Sequence, residues 1–211
     1  PFQSVAKSDR LRQHLGLSPN VRIALYQGGL QPNRGLDRLV RAAPSLDPNI
    51  VIVMMGNESR GTRAQLEAII ASEGVADRVK IISAVPYEEL LEWTASADIG
   101  LTIFPPDYSL SIQKCLPNKF FEYLMAGLPV LSSSLDTIAE MVKTYDVGQV
   151  VPSLAPLDIG AAINAMLIDS EGLARMHRNA LEAAQSEFYW EKESEKLVHL
   201  YYEILTKHGG K

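Results

Sequence analysis

The apolar positions of the chain form short runs of strand length that alternate with segments of helical spacing. The apolar runs are at 21–26, 50–55, 79–82, 99–104, 130–132 and 148–151. Short apolar runs bounded by turn residues are typical of buried strands. The segments before and between them predict helices at 8–17, 36–43, 62–73, 87–95, 118–126 and 137–143. This alternation predicts an α/β fold with a Rossmann-like, doubly wound parallel sheet of about six strands.

The last quarter of the chain has a different pattern. After Pro152 the spacing is almost entirely helical, which predicts a helical C-terminal region with helices at 157–169, 171–187 and 191–206. The last of these carries an apolar stripe of Leu197, Leu200, Tyr201 and Ile204. The segment 105–116 is predicted to be a loop.

A glycine-rich loop follows the first predicted strand and runs from Gln27 to Gly35. Glycines such as Gly28 and Gly29 let the backbone approach a ligand closely, and the start of the next helix attracts phosphate. Arg34 lies where it can pair with a phosphate. The loop is neither a Walker pattern nor the dinucleotide fingerprint. A plain strand-to-helix turn with a surface arginine is therefore an equal alternative.

The segment 117–131 is the most informative part of the chain. It predicts a helix that begins after Pro117 and ends at Gly127, followed by a buried strand. Asn118 and Glu122 are four residues apart, so they share a helical face near the helix start. Backbone N–H groups there bind anions, and the acid can accept hydrogen bonds from sugar hydroxyls. The alternative is a surface helix with a solvated glutamate.

Both motifs begin where a predicted strand ends. Ligands of doubly wound sheets bind at the carboxyl ends of the strands, near the point where the strand order reverses. We therefore expect the glycine loop and the start of the Asn118 helix to meet at that edge of the sheet.

Composition excludes several classes of function. The chain has 211 residues, 46% of them hydrophobic and 21% charged, which is a normal globular mixture. A formal net charge of -5 gives no general attraction for nucleic acid, so no nucleic-acid partner is expected. Cys115 is the single cysteine, so no internal disulfide can form, which fits a reducing cytoplasm. No apolar stretch approaches the roughly 20 residues that span a bilayer.

The sequence predicts no metal site, because His, Asp and Cys residues do not cluster at metal-binding spacing. Asp98 and Asp107 are interpreted as structural caps. The four histidines are scattered, and surface positions are expected for His14, His177, His199 and His208. The chain begins at Pro1 rather than Met, so we expect a fragment, and the tail 209–211 is expected to be disordered.

Several segments, taken in order, resemble the C-terminal, donor-binding half of the retaining GT-B glycosyltransferases of family four, the group 1 glycosyl transferases. Segment 117–130 is the most diagnostic of them. The resemblance lies in the order of the motifs over nearly the whole chain. The other similar segments are 23–30 with 34–36, 53–56, 79–86, 97–101, and Trp190 with the final helix.

The resemblance implies roles for individual residues in binding a nucleotide-diphosphate sugar. Arg34 matches the basic residue that contacts the diphosphate, and Gly28 and Gly29 form the close-approach loop. Asn118 and Lys119 lie at the helix start, near the expected position of the phosphates or the donor sugar.

The nucleoside end of the donor has its own implied residues. Glu122 matches the acid that holds the ribose hydroxyls. The base pocket is expected to be lined by the backbone of 83–86, which includes Val85, with Leu90 behind it.

The chain departs from the family pattern at two positions. The family often has arginine where this chain has Gly29, so one phosphate contact is missing or comes from Lys119 or Lys114. The family also often has a second glutamate eight residues before the one matched by Glu122, and here that position is Lys114. The acid that commonly contacts the donor sugar is therefore absent, and the resemblance does not define the sugar.

The function implied by the resemblance is transfer of a hexosyl or similar glycosyl group with retention. Residues 1–211 are expected to form a single donor-binding domain whose N-terminal acceptor domain is absent, so the isolated chain is expected to be inactive. Arg34 and Lys119 are the expected catalytic residues, because fixed cations stabilise a departing diphosphate without a metal. No cofactor is expected beyond the nucleotide sugar as substrate.

The expected setting is cytoplasmic synthesis of cell-envelope polysaccharide. Peripheral attachment at the inner membrane is an option for the full-length form, and only the missing domain is expected to touch the membrane. Two alternatives stay open at this point: a non-catalytic nucleotide-binding module, and a fragment of a nucleotide-sugar epimerase of related fold. An NAD-binding domain is disfavoured because the glycine loop lacks the dinucleotide fingerprint.

Overall fold

The computed structural model describes residues 5–106 and 110–208. Three of the expectations above lie outside this part of the chain. They concern the cap at Asp107, the surface position of the His208 side chain and the disorder of 209–211.

The six predicted strands form one sheet. They are β1 (Arg22–Gln27), β2 (Ile50–Met55), β3 (Val79–Ile82), β4 (Ile99–Thr102), β5 (Val130–Ser132) and β6 (Gly148–Val150). The strand order is β3-β2-β1-β4-β5-β6, and every pairing among the described residues is parallel. This is the doubly wound order that the alternation predicted, and its direction reverses between β1 and β4.

Helices cover both faces of the sheet and form the C-terminal region. They are α1 (Arg10–Leu15), α2 (Leu36–Ala42), α3 (Thr62–Glu73), α4 (Leu90–Thr94), α5 (Leu110–Lys114), α6 (Asn118–Met125), α7 (Asp136–Thr144), α8 (Pro156–Ile168), α9 (Ser170–Ser186) and α10 (Trp190–His208). A 3-10 turn, Tyr87–Glu89, precedes α4.

Two local predictions were wrong. The segment 105–116 is not all loop, because α5 lies within it. One helical turn with a single buried apolar residue, Ile112, is too short to show a periodic pattern. Strand β4 ends at Thr102 rather than at 104, because the Phe104 N–H donates to Ser133 Oγ at 3.0 Å instead of continuing a backbone ladder.

Strands β1 and β4 separate at the switch point, and a tyrosine from α6 fills the gap. Their pairing stops at Leu25 and Gly100. The buried Tyr123 hydroxyl accepts a hydrogen bond from the Gln27 N–H at 3.0 Å. It lies within donating distance of the carbonyls of Leu25, at 3.0 Å, and Leu101, at 3.3 Å. The hydroxyl thus replaces missing ladder partners and fixes α6 against the carboxyl edge of the sheet.

A cluster of charged side chains around the buried Asp98 lies at the amino ends of β1 and β4. Asp98 precedes β4 and accepts hydrogen bonds from the Ile23 N–H at 2.8 Å, Arg12 Nη2 at 2.5 Å and Arg22 Nη1 at 3.1 Å. The side chain of Asp98 is therefore a structural tie between α1, β1 and β4, far from the carboxyl ends of the strands.

The C-terminal helices differ in how they pack. His177 of α9 has its Nδ1 atom 2.5 Å from the carbonyl oxygen of Gly127, which links α9 to the end of α6. The apolar stripe of α10 is largely exposed: Leu200 and Tyr201 are 52% and 60% accessible. In the part of the chain that the structure describes, the helices are too short or too polar to span a bilayer.

Candidate functional site

A cleft of about 300 Å³ opens at the carboxyl ends of β1 and β2, beside the switch point. It contains five of the residues singled out from the sequence: Gly28, Gly29, Val85, Leu90 and Glu122. The strand ends, the turn before α4 and the first turns of α6 therefore meet as expected. The rest of the described lining is Gln27, Met55, Gly56, Asn57, Ala84 and Tyr87.

The glycines of the cleft allow close backbone approach. Gly28 has φ of 115°, a left-handed value that side chains disfavour, and a Cβ there would lie 3.2 Å from Lys119 Nζ. A Cβ on Gly56 would lie 1.9 Å from the carbonyl oxygen of Gly28. The floor of the cleft is consequently bare backbone, as a bulky ligand requires.

Lys119 lies inside the protein at the start of α6. The residue is only 8% exposed, and its ammonium nitrogen is 3.5 Å from the centre of the Tyr26 ring and 5.2 Å from that of Phe104. Burial lowers the pKa of Lys119 to about 7; the charge of Arg34 acts in the same direction, and Glu122 opposes it. A cation this poorly solvated gains much from an incoming anion.

Arg34 approaches the same ring from the glycine loop. Its guanidinium carbon is 5.5 Å from the centre of Phe104, and its Nη2 donates to Gln31 Oε1 at 3.3 Å. Arg34 and Lys119 thus both lie against Phe104, although neither belongs to the described lining of the 300 Å³ cleft. Two adjacent cations beside exposed glycines form a site for a multiply charged anion.

Glu122 is half-buried and is held by a chain of polar side chains. Gln27 Nε2 donates to Glu122 Oε2 at 2.5 Å, and Thr94 Oγ1 donates to Gln27 Oε1 at 2.7 Å. Gln27 and Thr94 are both buried. The carboxylate therefore has a fixed position at the cleft.

The structure separates the remaining candidates. Asn118 is exposed at the first position of α6 and is absent from the described lining of the cleft. Lys114 is an exposed residue of α5 whose Nζ lies 2.7 Å from Asp136 Oδ2. Of the two lysines considered for the missing phosphate contact, Lys119 is the one that lies beside Gly28.

The sequence interpretation missed Gln27, Thr94 and Tyr123. Only Gln27 carried a local signal, because it is a polar residue that directly follows the apolar run 23–26. Thr94 and Tyr123 act through partners far away in sequence. Among residues 5–106 and 110–208, no group of three or more His, Cys, Asp or Glu side chains could hold a metal ion.

A family model described as "Glycosyl transferases group 1" matches residues 7–183, which is most of the chain. The chain belongs to this family. The group 1 domain is similar to curated proteins named D-inositol 3-phosphate glycosyltransferase. The one from Thermobispora bispora is 28% identical over 206 residues, and the one from Nocardia farcinica is 29% identical over 207 residues.

The length of these relatives exceeds that of the group 1 domain. The alignments cover 93% and 94% of this chain but 46% and 44% of the relatives. The chain therefore spans about half the length of the curated relatives it matches.

Solved structures share the fold of the group 1 domain. Sucrose-phosphate synthase (tll1590) from Thermosynechococcus elongatus has a TM-score of 0.81 at 23% identity, covering 98% of this chain and 50% of that one. Anabaena Alr3699/HepE, solved in complex with UDP-glucose, has a TM-score of 0.81 at 19% identity, with coverages of 96% and 54%. These similarities establish the C-terminal GT-B type of fold.

Proposed function

We propose that this chain binds a nucleotide-diphosphate sugar and, together with an N-terminal acceptor domain, transfers the glycosyl group with retention. The observation that carries the proposal is the juxtaposition at one sheet edge of the glycine floor, the Arg34 and Lys119 cations, and the fixed Glu122 carboxylate. Family membership supports glycosyl transfer. The complexes of Alr3699/HepE with UDP and with UDP-glucose support a nucleotide sugar as the ligand.

The diphosphate is assigned to the cationic end of the site. Negative charge develops on the leaving diphosphate as the glycosyl bond breaks, and preorganised cations stabilise it more than they stabilise the bound donor. Lys119 and Arg34 supply that charge, and Gly28 and Gly29 let the phosphates approach. Under this proposal Lys119 takes the place of the arginine that the family often has at position 29, and the reaction needs no metal or other cofactor.

The nucleoside is assigned to the other end of the cleft. Glu122 accepts hydrogen bonds from the ribose hydroxyls, and the half-buried Val85 and Leu90 offer an apolar wall to the base. Tyr87 stands at the rim with 79% of its surface exposed, which leaves the ring accessible for stacking. Asn118, exposed at the start of α6, is assigned to the phosphates or the donor sugar.

The acceptor site is assigned to an N-terminal domain outside residues 1–211. The chain matches about half of the relatives' length, and a solved structure called the C-terminal domain of LpcC from Francisella tularensis is covered to 96%. The isolated chain is therefore proposed to bind donor without turnover. Hexosyl transfer, a cytoplasmic location and a role in cell-envelope polysaccharide synthesis stay predictions.

A matched pair of lysine variants tests the proposal. Lys119→Met removes the buried cation and Lys114→Met removes an exposed one. Calorimetric titration with UDP-glucose should show binding to the unaltered chain and to Lys114→Met. A loss of at least about ten-fold is expected in Lys119→Met, because a charge-assisted hydrogen bond is worth about 1.5–3 kcal/mol. Equal affinity of the two variants would contradict the assignment of the diphosphate.

A further inference from the structure

Gln27 is the last residue of β1 and is fixed at both its backbone and its side chain. The residue is 2% exposed, and its N–H donates to the Tyr123 hydroxyl at 3.0 Å. Its side-chain amide lies between Glu122, at 2.5 Å, and Thr94, at 2.7 Å. A buried amide with so many partners has little freedom to turn.

Hydrogen-bond chemistry fixes which end of the amide faces which partner. An ionised carboxylate can only accept, so the amide nitrogen of Gln27 faces Glu122. The amide oxygen then faces Thr94, whose hydroxyl must donate to it. The same hydroxyl oxygen also lies 2.7 Å from the Leu90 carbonyl oxygen, and its single hydrogen can serve only one of these two acceptors at a time. Donation to Gln27 completes the series of hydrogen bonds that ends at Glu122. The order of donation is therefore Thr94 to Gln27 to Glu122.

The hydrogen bonds from Thr94 to Gln27 and from Gln27 to Glu122, here called the relay, hold one carboxylate oxygen of Glu122. They thereby fix the position of its other oxygen. Glu122 is half-buried at the edge of a cleft of about 300 Å³, which leaves space for the side chain to swing. A carboxylate held in one position loses less conformational entropy when it binds a ligand than a mobile one does.

We propose that Gln27, oriented by Thr94, is a positioning residue that holds the Glu122 carboxylate for the ribose hydroxyls and thereby makes the cleft prefer ribonucleotides to 2′-deoxyribonucleotides. This inference rests on the proposed function, because it assumes that the nucleoside lies at Glu122. It adds a basis for discriminating ribose from deoxyribose and assigns it to two buried residues, Gln27 and Thr94, that act through Glu122.

The test compares UDP with 2′-deoxy-UDP in calorimetric titrations. GDP and ADP with their 2′-deoxy forms are run in the same series. The variants are Gln27→Met, which removes the amide at similar volume, Thr94→Val, which removes the hydroxyl, and Thr94→Ser, which keeps it. The unaltered chain should prefer the ribonucleotide by about ten-fold, the worth of one hydrogen bond to a charged group.

The expected result is a selective loss of that preference. Gln27→Met and Thr94→Val should bind the two forms about equally, mainly through weaker binding of the ribonucleotide, whereas Thr94→Ser should keep the preference. A merely structural defect would weaken both forms in parallel and leave their ratio unchanged. An unchanged ratio in Gln27→Met overturns the inference.

A second measurement needs no nucleotide and separates this inference from the proposed function. The side-chain amide protons of Gln27, assigned by their absence from the NMR spectrum of Gln27→Met, should exchange slowly with solvent. Exchange should become faster in Thr94→Val and in Glu122→Ala but not in Thr94→Ser. Failure of every nucleotide to bind would refute the proposed function and the ribonucleotide preference that rests on it, but not the positioning of Glu122 by Gln27. Amide exchange unaffected by these variants would refute that positioning alone.

Discussion

The ammonium nitrogen of Lys119 lies 3.5 Å from the centre of the Tyr26 ring, in the interior of the domain and beside the glycine loop. The face of an aromatic ring attracts a cation, but it does not replace the hydration that burial removes. The charged form of Lys119 is therefore disfavoured in the interior, and burial lowers the pKa of Lys119 to about 7. An anionic ligand at the glycine loop would stabilise the charged form of Lys119. Two predictions follow from the lowered pKa of this residue.

The stability of the chain should rise with pH between about 7 and 10 through Lys119. Its pKa is about 7 in the folded chain and its ordinary value is 10.5, so in this window the unfolded chain binds more protons. The slope is at most about 1.4 kcal/mol per pH unit. The pKa of Tyr26, raised by burial to about 12, reverses the trend above pH 10. Urea unfolding at several pH values should show this rise, and Lys119→Met should flatten it.

Nucleotide binding at pH 8 should take up a proton. Lys119 is largely neutral at that pH in the ligand-free chain, and a diphosphate beside it favours the charged form. Calorimetric titrations in buffers with different ionisation enthalpies should give an uptake approaching one proton, and Lys119→Met should abolish it. Uptake of the same size in the variant would exclude Lys119 as the group that titrates.

Tyr123→Phe should destabilise the domain by about 1–3 kcal/mol, because it leaves the buried Gln27 N–H without its acceptor. The matched control is Tyr202→Phe, whose hydroxyl belongs to an exposed residue of α10 and whose effect should be within about 0.5 kcal/mol. Denaturant unfolding measures both. A Tyr123→Phe chain as stable as the control would contradict the role of this hydroxyl in closing the gap between β1 and β4.

Asp98→Ala should cost about 3–5 kcal/mol of stability without changing nucleotide affinity. The substitution removes the buried carboxylate nearest to the buried Arg12 guanidinium and leaves only the exposed Asp9 carboxylate, at 3.4 Å, at the amino ends of the strands. Asp136→Ala breaks the exposed pair with Lys114 and should leave the free energy of unfolding nearly unchanged. Denaturant unfolding measures the stability of both variants, and calorimetric titration measures their nucleotide affinity. A large loss of affinity in a folded Asp98→Ala chain would contradict the purely structural role of Asp98.

Much of the fold could be predicted because parallel strands are buried on both faces and therefore read as continuous apolar runs. Strands β1 and β2 are clear examples, with nearly every residue buried. Helix α5 was not predicted because a single helical turn is too short to show a periodic pattern of apolar residues. The end of β4 was not predicted because it depends on the hydrogen bond between Phe104 and Ser133, which are 29 positions apart in the chain.

The sequence identified candidate site residues where local pattern marks them and overlooked residues whose positions depend on distant partners. The glycine loop, Arg34 and Glu122 could be identified because each follows a strand end or begins a helix. The burial of Lys119 could not, since it depends on the space beside Gly28 and on the rings of Tyr26 and Phe104. Gln27 and Thr94 are 67 positions apart, and only folding shows that they share a hydrogen bond.

The cleft at the switch point and the adjacent Arg34 and Lys119 cations are proposed to bind the nucleotide diphosphate of a sugar donor. This binding is tested by calorimetric titration of the chain with UDP, GDP and ADP, alongside a double variant with Arg34→Ala and Glu122→Ala. At least one nucleotide should bind, and the double variant, still folded, should lose this binding. Absence of binding by a well-folded chain, or binding that survives in the double variant, would refute the proposed site.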